Sequence, residues 1–148
     1  MREWMGYLFA VALFAYHSVA DIRTQRIPAG SLGIGVVISF CWAMGKVLLG
    51  ERTQAAVILG LLPGIAVLLL AKATREQVGS GDGWELVIMG SLLGWTDCLL
   101  GLGIALLGAF AASVILLVCR KARGSTRIPF VPFLCMGTVA VTVLRLGK

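Results

Sequence analysis

Two aspartates stand at the edges of apolar runs, Asp21 in VADIRTQRIPAG (residues 19–30) and Asp82 in VGSGDGWEL (residues 78–86). Two carboxylates that meet do not readily both ionise, and a pair that shares one proton offers an acid and a base together near neutral pH. One can take a proton from a water attacking a carbonyl carbon. The other can protonate the developing oxyanion or the leaving amine. Such hydrolysis calls for no metal, no cofactor and no nucleophilic side chain, which suits a chain with one histidine and no visible Ser-His-Asp or Cys-His arrangement. The plainer alternative is that Asp21 caps a helix end and Asp82 terminates a loop.

The neighbours of the aspartates bear on that choice. Gly79, Gly81 and Gly83 bracket Asp82. Without a Cβ they let the backbone turn tightly and let a substrate strand come close. A phosphate-binding loop is not expected there, since no strand precedes it and no Lys-Ser/Thr pair succeeds it. His17 lies one helical turn before Asp21 and would share its face, where it can tune the pair or simply be hydrogen-bonded at the interface. Asp97 also breaks an apolar stretch, but without flanking glycines, and reads as a loop residue on the opposite face.

The elements that must carry these residues are membrane helices. The chain has 148 residues, 59% of them hydrophobic and 14% charged, whereas ordinary soluble domains are about 25% charged. Apolar runs recur at the length of about 20 residues that a bilayer core of about 30 Å requires. The expectation is therefore an all-α polytopic membrane protein of about six transmembrane helices with short loops, forming one membrane-embedded domain over residues 1–148. A net charge of +6 does not indicate nucleic acid, because the basic residues are spread over short loops rather than gathered on a stripe. The four cysteines lie in or beside apolar runs without metal-ligand spacing and read as packing residues. A cleavable signal ending near Ala20 is not expected, because the chain beyond it is again largely apolar.

The first span runs from about Trp4 to Ala20, with a polar turn from Asp21 to Gln25. Pro28 makes Ile27 extended and allows a new helix from Ala29 or Gly30 to about Leu49. A third span covers Gln54 to Ala71, with a kink expected at Pro63-Gly64. Lys72 to Asp82 is a polar connection, succeeded by a short apolar stretch, a break at Thr96-Asp97, a run from Cys98 to Val118, a basic loop over residues 120–127 and a last span from Pro129 to Leu146. The loops around 21–28, 72–77 and 120–127 hold eight Lys and Arg residues against five elsewhere. That excess makes them the cytoplasmic side and puts Asp21 and Asp82 on it together. The fourth span, Gly83 to Asp97, rises only about 22 Å at 1.5 Å per residue, so Asp82 is expected at the mouth of a cavity at the membrane edge.

On these residues the chain resembles a known family. Gly79-Ser80-Gly81-Asp82 looks like the GxGD motif of intramembrane aspartyl proteases, and Asp21 with Ile27-Pro28 after it resembles the D-x5-IP motif of type IV prepilin peptidases. The stretch Ile128-Pro129-Phe130-Val131-Pro132-Phe133-Leu134 is similar to the IPFGPFL stretch that opens that family's last helix. The resemblance implies an endopeptidase of the inner (cytoplasmic) membrane. Such an enzyme removes the short basic leader from prepilin-like membrane proteins at the cytoplasmic face, with Asp21 and Asp82 catalytic and Ile27, Pro28, Pro129 and Pro132 in support. It also implies a peptidase without methyltransferase activity, like the short members serving Flp or Tad-type pili, because the chain begins directly at its first span. Three positions depart from the pattern: Ala29 stands for asparagine, Val131 for glycine, and Trp84 for the usual lysine, removing a charge near the pair. A small proton- or cation-coupled transporter could use the same carboxylates. The placement of both aspartates at one face and the lack of a visible inverted repeat favour the enzyme.

Overall fold

The computed structural model describes residues 3–75, 79–119 and 129–147. Among them every regular element is a helix: α1 (Glu3–Thr24), α2 (Ala29–Leu48), α3 (Gln54–Ala73), α4 (Ser80–Leu93), α5 (Trp95–Val118) and α6 (Val131–Leu146). In hydrocarbon every backbone N–H and C=O must find a partner within its own segment, and long apolar runs therefore become helices. Four of the six, α1, α2, α3 and α5, are long and apolar enough to cross a membrane, and the protein is an integral membrane protein. Helices α4 and α6 are shorter, at 14 and 16 residues.

The helix ends obey hydrogen bonding rather than hydropathy, and this moves three expected boundaries. Helix α1 does not stop at Ala20 but continues through Asp21 to Thr24. Thr24 Oγ1 donates to the Ala20 carbonyl at 2.9 Å, and Gln25, at φ +50°, closes the helix by donating its N–H to the Asp21 carbonyl at 2.8 Å. Helix α4 begins at Ser80, which puts Asp82 inside its first turn rather than in a connection. The break after α4 falls at Gly94, whose φ of +90° only glycine adopts without strain. Asp97 is thus in the first turn of α5 and is not a loop residue.

Between these corrections the expected pattern holds. Ile27 lies in neither helix, extended Pro28 (φ −62°, ψ 118°) precedes α2, and the Pro28 carbonyl accepts from Leu32 N–H at 3.1 Å. Thr53 caps α3 by accepting from Ala56 N–H at 3.2 Å. Helix α3 continues unbroken past Pro63. The basic loop 120–127 lies outside the described residues.

Helix α4 is the inner helix. It packs on α3, α2, α5 and α1, and Leu86, Ile88, Met89, Leu92 and Leu93 are all buried. A helix apolar on every side belongs in an interior. Its approach to α3 is backbone against backbone: a Cβ on Gly90 would overlap the Gly60 carbonyl, and one on Gly64 would stand 2.5 Å from Val87 N. Small residues at such crossings replace the hydrophobic driving force that lipid cannot supply. Outward, α5 presents Leu106, Leu107, Phe110, Ile115 and Leu117, all exposed, as a lipid-facing side.

Candidate active site

Asp21 occupies the last turn of α1 and is buried, with 8% of its surface exposed. Its Oδ2 accepts a hydrogen bond from Val131 N–H at 3.2 Å. Val131 is the first residue of α6, so this N–H is one of the donors that a helix start leaves without an intrahelical partner. Pro132, the next residue, has no N–H, and the carboxylate of α1 thereby serves as the cap of α6. Half-buried Pro129 and Pro132 flank the contact. Ile128 lies outside the described residues.

Asp82 sits in the first turn of α4, where the helix dipole favours a carboxylate, and its N–H donates to the Gly79 carbonyl at 3.2 Å. The carboxylate lies over Gly79, such that a Cβ there would stand 3.4 Å from Asp82 Oδ2. The other two glycines serve packing. A Cβ on Gly81 would meet Ile27 Cδ1 at 2.9 Å, and one on Gly83 would meet Leu68 Cγ at 2.7 Å. Ile27 therefore docks on the start of α4 and locks the Asp21 turn to the Asp82 turn. Gly83 lets α4 lie close against α3.

These ties bring the two aspartates to one end of the bundle, and Asp82 is within electrostatic reach of both Asp21 and Glu85. His17 joins them, but not as an interfacial side chain: it has no exposed surface, its Nδ1 is paired with the carboxylate of equally buried Glu85, and its Nε2 lies 2.9 Å from Ser31 Oγ. Trp84 is 41% exposed. Glu85 and Ser31 are the site residues that sequence reasoning missed. The signal for Glu85 was its spacing three residues after Asp82, which puts both on one face only if the helix already runs at Ser80.

Asp97 belongs to the opposite end of α4. It is 2% exposed, accepts from the Tyr7 hydroxyl, and is clasped by Arg145, whose Nε lies 3.1 and 3.0 Å from its two carboxylate oxygens. Nearby, Arg52 donates to the last carbonyls of α4, at 2.9 Å to Ser91 and 3.4 Å to Leu92. A cavity of about 440 Å³ opens there. Among the described residues no three His, Cys, Asp or Glu side chains converge closely enough to hold a metal ion.

Chemically, the buried end unites a carboxylate held by a backbone N–H with a second at a helix N-terminus, an arrangement that suits proton exchange with a bound water. Residues 8–121 match the family model described as the type IV leader peptidase family. That range includes both aspartates and ends before α6. No curated protein and no solved structure matches the chain.

Proposed function

Because the chain belongs to the type IV leader peptidase family, we propose that it is an aspartyl endopeptidase in which Asp21 and Asp82 share one proton and activate a water between them. One observation above all supports this reading: α1 and α4, remote in sequence, carry these two carboxylates to the same end of the bundle and within electrostatic reach. The ionised carboxylate takes a proton from water as its oxygen attacks the peptide carbonyl carbon, and the protonated carboxyl gives its proton to the carbonyl oxygen. Collapse of the tetrahedral diol breaks the C–N bond, and the amine nitrogen leaves with a proton from the pair. The proton belongs to the pair, so acid and base are roles of the dyad rather than of a fixed residue.

The substrate is a prepilin-like membrane protein of the Flp or Tad type, cut between its basic leader and its apolar helix at the cytoplasmic face of the inner membrane. Peptidase action alone, without N-methylation, is the proposed activity. Depth supports this substrate geometry: α4 has 14 residues, about 21 Å at 1.5 Å per residue, against a hydrocarbon core of about 30 Å. Asp82 at its N-terminus then lies near the level at which a membrane-inserted substrate leaves the bilayer.

The test is incubation of the purified protein in lipid vesicles with a basic-leader prepilin, then mass spectrometry of the products. A single cut at the junction of leader and apolar helix is expected. An intact substrate, or proton flux without cleavage, would overturn the reading.

A further inference from the structure

The dyad chemistry leaves one buried ionisable pair unused. His17 and Glu85 have no exposed surface, and each lies one helical turn from an aspartate, His17 four residues before Asp21 and Glu85 three after Asp82. Their hydrogens can be counted. Ser31 Oγ donates its single hydrogen to the Pro28 carbonyl at 3.0 Å. The imidazole Nε2, 2.9 Å from the same oxygen, is therefore the donor of that contact. With Nε2 carrying its hydrogen, the close approach of Nδ1 to a Glu85 oxygen would set two lone pairs against each other unless one further proton is shared there, and a pair holding that proton is neutral as a whole.

Glu85 also needs this partner. Both of its oxygens are buried without a well-aligned hydrogen bond, Oε1 having only the close His17 Nδ1, and the charge of Asp21 acts on it as well. Besides His17, the ionisable groups that act with it are Asp21 on α1 and Asp82 on α4, both acidic. Cys98 on α5 lies 3.8 Å from the Leu86 carbonyl, and Cys135 on α6 lies beside Ser18. Helix α2 faces the pair with Ser31, and the single ionisable residue of α3, Lys72, is exposed. Among the described residues, His17 is the basic group that meets the third carboxylate.

We propose that the buried His17–Glu85 pair is the positioning partner of the aspartate dyad. It neutralises a third carboxylate so that Asp21 and Asp82 retain one shared proton, and it ties both aspartate-bearing turns to the start of α2. This rests on the aspartyl peptidase reading given above. Without the imidazole, the negative charge of Glu85 stands uncompensated beside the dyad, and the dyad holds its shared proton more tightly.

The experiment measures kcat/KM for prepilin cleavage against pH in the full-length protein, with helicity in detergent monitored for every variant. In His17→Asn the alkaline limb is expected to move up by about one pH unit, the size of effect a close charge produces. In the double variant with Glu85→Gln, the limb returns to its wild-type position, because both members of a neutral pair are gone. A merely structural role would lower the rate in both variants and leave the limbs in place, which would overturn the proposal. Should His17→Asn fail to fold, the double variant, free of the uncompensated charge, is expected to fold and keep the wild-type limb; its failure to fold would equally overturn it. Asp21→Asn run in parallel separates the two ideas. If it is inactive while His17→Asn shows no shift, only the pair is refuted, whereas full activity of Asp21→Asn refutes the dyad itself.

Discussion

Three aspartates break the apolar pattern of this chain, and their surroundings assign them different work. Asp21 and Asp82 lie at one end of the bundle within electrostatic reach of each other and of buried Glu85, while Asp97 meets Tyr7 and Arg145 at the far end of α4. Asp97 therefore joins α1, α5 and α6, and its role is structural. Asp97→Asn is expected to lower stability by about 1–3 kcal/mol, since the buried Tyr7 contact loses its charged acceptor, yet to leave prepilin cleavage in place. Thermal unfolding in detergent beside a cleavage assay checks both halves. Sequence patterning separates Asp97 from the other two but makes it a loop residue, because hydropathy registers a charge without revealing the partner that lets it be buried. Trp84 is the opposite case. The lysine usual at that position is absent, the indole in its place is exposed, and nothing in the structure explains the change.

At the scale of helices, the apolar runs made all six elements legible, and Pro28 placed the start of α2 at Ala29 or Gly30, where the helix begins at Ala29. Hydropathy located the ends less well. It reports where lipid stops, whereas a helix stops where its carbonyls are satisfied otherwise, as at Gln25 and Gly94. That difference hid the most informative part of the site, since only a helix already formed at Ser80 puts Asp82 and Glu85 on one face. The contact between Ile27 and Gly81 was likewise hidden, because two motifs far apart in sequence show no sign of touching until they fold. The seam between α3 and α4 yields a direct check. Gly90→Ala drives a Cβ into the Gly60 carbonyl, a backbone atom that cannot rotate away, and is expected to destabilise by about 1–3 kcal/mol. Gly103→Ala, with nothing within 4 Å of the added carbon, is expected to raise stability by up to about 1 kcal/mol through helix propensity. Unfolding midpoints of the two variants should therefore move in opposite directions.

In the whole molecule, an inner helix too short to span carries a polar cluster at each end, and the longer helices around it present apolar side chains outward. The cluster at the α4 N-terminus is assembled by α1, α2, α4 and α6 together, through His17 and Asp21, Ser31, Asp82 and Glu85, and Val131. No single helix holds the site, so the bundle as a unit sets the distance between the carboxylates. The central claim is that these two carboxylates do the chemistry jointly. It is tested most directly by cleavage of a basic-leader prepilin by the wild type, Asp21→Asn and Asp82→Asn, each purified and folded in the same detergent. The expected result is cleavage by the wild type and its loss in each single variant, since either amide removes a group that must exchange a proton. Cleavage at the wild-type rate by either folded variant would contradict it.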